Sequence, residues 1–564
     1  MKKKLLSAVL AMVIAVTTIP GITAGAATKK ISSLSISKIS DQSYTGKALK
    51  PSVTVKDGSK TLKSGTDYTL SYGNNKNIGK ASVKITGKGN YTGTASKTFN
   101  IVPAKTTVSE ITRSGQKFTI SWKKSAGSVG GYKIYHSTEK DGEYKLLKNV
   151  KDGSQTSYTS KKLDENKTHY FRVTAYKKVD GKTYTGARSD VLSGPRAFRD
   201  ITAEKLVSEI KIGWNLGNSL DATDFGEGWM SSDLSVAKLE TAWSNPAVTK
   251  ANIDAVKAAG FSAVRIPVSW FKAAGGAPNY TIRADWMARV TEVVDYAVAN
   301  DMYVILNIHH EEYHGYGKTD RLRFDGTEAQ ITESLNAYRK IWEQIADNFK
   351  TYDEKLIFEG LNEPRVIGSK EEWSGGTAKQ REILNRYYPV FVDAVRKSGG
   401  NNDKRFLMIT TYGASTTATA VNGLVLPKDT AANKLIVSIH AYVPYTFCYD
   451  PDSGSTTKWS ASNSADTKAI QDALQPAYDK FIAKGVPVII GEFGVVHKNN
   501  ASARAAWAEY YVSYANSKGF RCFLWDNGVT SVDYEGAELF GFLNRKTNKF
   551  AFTGVIDALM RGAK

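Results

Sequence analysis

Two glutamates stand where apolar runs end. Glu363 follows Leu356–Leu361 and Glu492 follows Val486–Gly491. Runs this short and this apolar are buried strands, so each carboxyl is expected where a strand reaches the rim of its sheet. Two carboxyls facing one another across an anomeric carbon can break a glycosidic bond. Competing chemistries lack their parts. No G-x-S-x-G elbow supplies a serine nucleophile. "GWNLGN" (Gly213–Asn218) is no dinucleotide loop, because its glycine spacing differs and Asp221 follows too soon. His309 and His310, adjacent on a strand, would point to opposite faces, which argues against a metal site. No metal and no cofactor is therefore expected, although the dense "HHEEYHGY" stretch keeps a cation open.

The elements that must position these groups are legible from about Phe198 onward. Eight apolar runs alternate with amphipathic helical segments: Ile210–Leu216, Ser262–Pro267, Tyr303–Asn307, Leu356–Leu361, Phe406–Thr411, Leu435–His440, Val486–Gly491 and Arg521–Trp525. Alternating strands and helices imply a parallel sheet. Eight strands in about 365 residues fit an α/β fold, a (β/α)8 TIM barrel, better than an open sheet. Polar and aromatic residues then gather at its C-terminal rim: Asn215, Arg265, His309, His310, Asn362, Glu363, His440, Tyr442, Glu492 and Trp525. Glu363 and Glu492 come from strands four and seven, nearly opposite on the ring. A buried Glu359, two pleats from Glu363 on the same strand face, is one partner open to Arg265. Asn215 and Trp243 are candidate cleft-wall residues. Trp214, Trp229 and Trp270 are open between core and cleft.

The rest of the chain is of another kind. Lys2–Lys4, an apolar stretch from Leu5 to Ile19 and Ala24-Gly25-Ala26 form an export signal over residues 1–26, with cleavage expected after Ala26. Residues 28–103 and 106–194 carry short strands separated by regular turns, as in small all-β sandwiches. Residues 199–564 form the barrel. The formal charge of +21 resembles a nucleic-acid binder only until it is divided. Residues 28–200 hold 33 Lys+Arg against 13 Asp+Glu, whereas residues 201–564 hold 40 against 42. The barrel is thus nearly neutral and no nucleic-acid partner is expected; the basic modules suit contact with anionic cell-wall polymers or acidic polysaccharide. Cys448 and Cys522 are expected to stay unbridged. No segment after the signal is apolar enough to span a membrane, and no C-terminal sorting motif is seen. A secreted monomer is expected.

Several phrases carry resemblances. "GTDYTLSYGNNKNIGKASVKITGKGNYTG" is similar to bacterial Ig-like repeats, and the Trp122–Tyr132–Tyr170 pattern resembles a fibronectin type III domain, with Trp122 in its core. "LIFEGLNEPR" (Leu356–Arg365), with Arg265, His309, Asn362, His440, Tyr442, Glu492 and Trp525 in order, resembles glycoside hydrolase family 5. "GWNLGNSLDA", "ETAWSNP", "ILNIHHE" and "HAYVPY" are similar to its subfamily 4 endoglucanases. The resemblance implies a retaining endo-β-1,4-glucanase acting on cellulose-type glucan, mixed-linkage β-glucan and xyloglucan. Glu363 would be its acid/base, its proton kept by the nearby Glu492 carboxylate, and Glu492 its nucleophile. Arg265 and Tyr442 would hold Glu492, Asn362 the sugar 2-hydroxyl, and His309 and His440 sugar hydroxyls or carboxyls, with His310 a further candidate for substrate binding. Trp525 would form the floor beneath the sugar. A β-mannanase of the same family, or a surface carbohydrate-binding protein with an inactive barrel, remains open.

Overall fold

The computed structural model describes residues 28–164, 167–225, 230, 233–313, 321–449, 455–530 and 538–564. The export signal and Trp229 lie outside the described residues. The chain divides into two compact units, the first holding most of the N-terminal strands and the second the barrel. In the N-terminal region, a four-stranded sheet (Gln42–Ser43, Thr94–Val102, Gly79–Gly87, Tyr68–Gly73) and a three-stranded one enclose Val55, Val83, Ile85 and Ile101. Beyond it, Gly131–Ser137 pairs with Lys145–Val150 and Tyr170–Val179. Trp122 is buried there, 5.2 Å from the Tyr132 ring, as expected of a core tryptophan.

Eight parallel strands close into a barrel: β1 (Gly213–Asn215), β2 (Ala263–Ile266), β3 (Tyr303–Asn307), β4 (Leu356–Glu359), β5 (Leu407–Thr410), β6 (Leu435–His440), β7 (Val488–Phe493) and β8 (Arg521–Leu524). The crossover helices begin where the sequence places capping residues. Lys250–Ala258, Glu328–Phe349 and Ala378–Lys397 each start behind a threonine whose hydroxyl caps the third helical residue, while that residue's side chain caps the threonine amide.

The barrel interior is layered by the two-residue period of its strands. A lower apolar layer of Ala263, Ile305, Ile357, Met408, Ile436, Ile489 and Phe523 packs with the helix Ala203–Glu209. Gly213 belongs to it because a Cβ would lie 2.1 Å from the Phe523 ring. Two residues further along the strands the interior turns polar, with Asn215, Arg265, Asn307, Glu359, Thr410 and Ser438, all buried. The next step upward is the rim. On β7 the register shifts twice against its neighbours, at Ile439/His440 and at Ile490/Phe493, which turns Glu492 toward the interior beside His440. Such irregularities re-aim a side chain at the cost of regular pairing.

Lys272 clamps the loop after β1. It is buried, and its ammonium donates to the carbonyls of Leu220, Ala222 and Leu239 at 2.9, 2.6 and 3.3 Å. That loop leads to Phe225, and its Thr223 carbonyl accepts the Trp243 indole N–H. Lys272→Met leaves three carbonyls without their donor and is expected to lose about 2–5 kcal/mol of stability, read as a lower urea midpoint.

Cys448 and Cys522 are both free and buried. No helix among the described residues is long and apolar enough to cross a membrane.

Candidate active site

The site rises from the polar layer. Arg265 is wholly buried and is its hub. Its Nε donates to Glu359 at 2.7 Å, Nη1 to Glu492 at 2.7 Å and to Asn215 at 3.0 Å, and Nη2 to Asn362 at 2.7 Å. One guanidinium thus fixes four side chains, from β1, β4, the loop that follows β4, and β7. Burial works against its charge, but Glu359 and Glu492 hold it protonated. Both partners open to Arg265 in the sequence are taken. Replacing it with methionine strands Glu359 as a buried charge, and Arg265→Met is expected to cost about 3–5 kcal/mol in denaturant unfolding.

Asn215 corrects the sequence expectation. It is fully buried, and its amide donates to the carbonyls of Gly491, Phe523 and Leu524 while accepting from Arg265. It is a brace of the polar layer and not a cleft wall. Burial likewise makes Arg265 a positioning residue with no face toward the cleft. Trp214 and Trp270 are core, their indoles spent on Asp526 and the Asn307 carbonyl. Trp243 is half-buried and meets Phe225 at 5.5 Å and His310 at 5.6 Å, an aromatic wall whose Phe225 member no sequence pattern marked.

Above the hub the two glutamates approach. Glu492 receives Arg265 on one oxygen and the Tyr442 hydroxyl on the other, at 2.9 Å. Burial, Glu492 and Glu363 raise the Tyr442 phenol well above its usual range, so it remains a donor. Glu363 bonds His440 Nδ1 at 2.7 Å and lies 3.5 Å from Arg365. His440 Nδ1 also stands 3.7 Å from Glu492. One oxygen of each glutamate and a nitrogen of His440 all lie within 4.8 Å of one another. The two carboxyls thus face one another across a narrow gap, as a pair acting on one glycosidic bond must.

The proton arrangement differs from the sequence expectation. Burial pushes the Glu363 carboxyl up, but the His440 hydrogen bond and the charges of His440, Arg365 and His310 pull it the other way, below the usual carboxylate range in the substrate-free protein. The direct hydrogen-bond partner of Glu363 is His440, reaching across from β6.

His309 and His310 also depart from expectation. β3 ends at Asn307, so the alternation of a strand no longer applies, and the two rings lie 4.4 Å apart. Asp221, His309 and His310 each bring one potential ligand atom within 4.8 Å of the others. Both Asp221 oxygens, however, already accept the amides of Asn218 and Ser219, and His309 Nδ1 pairs with Asn307. Burial, then His310 and Arg265, hold His309 well below its usual value, so it is neutral. Its ring lies parallel to Trp525 at 6.0 Å. Trp525 rests on Gly217, where a Cβ would come within 2.7 Å of the indole, and packs with Val496 and Phe540. The neighbouring Asp526 is fully buried and ties the loop after β8 together by accepting from Trp214, Gly528, Phe542 and Leu543.

Residues 222–531 match the cellulase family, glycosyl hydrolase family 5. The chain belongs to glycosyl hydrolase family 5. Residues 102–189 match the fibronectin type III domain. Among relatives of the family 5 barrel, endoglucanase A of Clostridium longisporum is 42% identical over 366 residues, 64% of this chain and 66% of that protein. A cellulase/esterase of Acetivibrio thermocellus is 43% identical over 397 residues, 70% of this chain, and this chain spans only 45% of its length. A GH5-4 broad specificity endoglucanase from Ruminococcus champanellensis with bound cellotriose superposes with a TM-score of 0.59 at 46% identity, covering 64% of this chain and 99% of that one. A family 5 lichenase from Caldicellulosiruptor with cellotetraose gives 0.59 at 39%, covering 66% and 98%.

Proposed function

We propose that this chain is a retaining endo-β-1,4-glucanase that cuts cellulose-type glucan, mixed-linkage β-glucan and xyloglucan outside the cell. The observation that carries the reading is the close carboxyl pair, Glu492 held by Arg265 and Tyr442 and Glu363 held by His440. Glu492 attacks the anomeric carbon as Glu363 delivers the proton to the leaving oxygen. A glycosyl ester forms on Glu492. Glu363, now a carboxylate, then takes a proton from water, which displaces the ester from the face the leaving group vacated. Two inversions give net retention. Asn362, its oxygen fixed by Arg265, has its NH2 group to offer the sugar 2-hydroxyl. Trp525 and His309 border the sugar at the cleavage point, and Trp243 with Phe225 borders the units beyond it. The GH5-4 relatives named for endoglucanase activity and solved with cello-oligosaccharides support the substrate class. The basic N-terminal modules suit anionic wall polymers or acidic polysaccharide as a second contact.

The test is reducing-sugar release from carboxymethylcellulose, barley β-glucan, xyloglucan and β-mannan. Cleavage of glucans with no action on mannan is expected. Mannan-only cleavage would keep the mechanism and replace the substrate; a folded protein silent on all four would make this a binding protein.

A further inference from the structure

One sheet of the fibronectin type III module is charged with a single sign. Its four strands, Gly131–Ser137, Lys145–Val150, Tyr170–Val179 and Lys182–Thr185, hold seven lysines and arginines and no aspartate or glutamate. The two faces of this sheet differ. Tyr132, Ile134, Phe171, Val173 and Ala175 are buried in the module. Lys133, Tyr135, Arg172 and Tyr176 alternate with them on the other face, none of them buried. Arg172 stands opposite Tyr135 across one strand pair, and Leu146, 54% exposed, stands opposite it across the next.

Each cation of this face is seated on a ring. The exposed Arg188 guanidinium lies 4.0 Å from the Tyr135 ring, Lys133 5.7 Å from Tyr176 and Arg172 5.0 Å from Tyr144. Among the described residues none of the three cations forms an ion pair, and Asp190, two residues after Arg188, is taken by Lys105 at 2.7 Å. Contact with a ring restrains a long side chain that would otherwise have to be ordered on binding. Three positive heads are thus presented together, each on an aromatic support.

We infer that this sheet face is a docking surface for an acidic polysaccharide, a chain of uronic-acid units whose carboxylates meet Lys133, Arg172 and Arg188 and whose apolar ring edges meet Leu146. This rests on the reading that the basic modules contact an anionic polymer, and narrows it to one face and one chemistry. A guanidinium fork matches a carboxylate in plane and in hydrogen-bond count. Nucleic acid suits the face less well, because single strands stack their bases on aromatic rings, and the tyrosines here are engaged by cations.

The test is retardation of the full chain in native gels containing graded polygalacturonate or poly(glycerol phosphate), each read against a polymer-free gel. Wild type is expected to be retarded by polygalacturonate, and less so as salt rises. Lys133→Gln/Arg172→Gln/Arg188→Gln should weaken that binding about tenfold. Lys80→Gln/Lys84→Gln/Lys97→Gln removes the same charge from exposed positions of the first β module and should change it less than about twofold. Arg172 is half-buried, so Lys133→Gln/Arg188→Gln repeats the comparison with it intact and should keep most of the loss. Equal losses from the two triple variants would reduce the interaction to net charge and overturn the face. Stronger retardation by poly(glycerol phosphate) would overturn the uronate assignment. A wild type retarded by neither polymer would overturn the anionic-polymer reading itself, and the face with it.

Discussion

Glu492→Ala is expected to lower kcat at least about 10⁴-fold on every glucan the wild type cleaves, because no other group among the described residues is placed to form the covalent intermediate. The substitution keeps the fold, since Arg265 retains Glu359, Asn215 and Asn362. The vacated space faces the anomeric carbon from the side opposite the leaving group. Azide supplied there attacks once, with inversion, and an activated β-cellobioside should yield the α-glycosyl azide. The configuration of that product, read by NMR, identifies Glu492 as the nucleophile; a β-azide would transfer the role elsewhere.

Glu363→Ala should behave differently on the same substrates. Glucan hydrolysis falls about 10²–10⁴-fold, the usual contribution of general acid–base assistance. A dinitrophenyl β-cellobioside needs no protonation to leave, so Glu492 is still glycosylated and the second step becomes slow. Mass spectrometry of the denatured variant should show the glycosyl enzyme accumulating, and azide should release it as the β-glycosyl azide. The same carboxyl gives a stability signature. In the folded, substrate-free protein it lies below the ordinary 4.5, so its contribution is present above pH 4.5 and is lost as the pH falls through the lowered value. Glu363→Gln should therefore show a shallower loss of stability than wild type across that window in denaturant titrations.

How much of this was legible from the residues follows from where each residue lies. The barrel strands could be read because they are buried on both faces and so appear as unbroken apolar runs such as Leu356–Phe358. Glu363 and Glu492 could be read because each follows such a run. Depth within the barrel could not be read. Asn215 and Trp243 looked alike as candidate walls, yet one lies a layer below the rim and the other on a loop. The facing of His309 and His310 was misread because periodicity holds only while the strand lasts, and β3 stops two residues earlier. That His440 would meet a carboxyl was expected, but not which one, because it lies 77 residues from Glu363 and a register shift beside it changes which side chains share a level. Phe225 and Asp526 sit on irregular loops, where no pattern separates an aromatic wall from packing or a structural carboxylate from a functional one.

The Arg265 hub has a further meaning when its ions are counted. One guanidinium faces two carboxylates, Glu359 and Glu492, so the buried layer carries an excess negative charge at rest. In the proposed reaction, positive charge develops on the sugar ring directly above, and the excess becomes its counter-charge without any dipole having to turn. Once Glu492 is an ester, Arg265 and Glu359 are left as a neutral pair. The floor of the barrel is thus electrically balanced in the intermediate and out of balance before it, a polarity built into the strands and not into the loops of the rim.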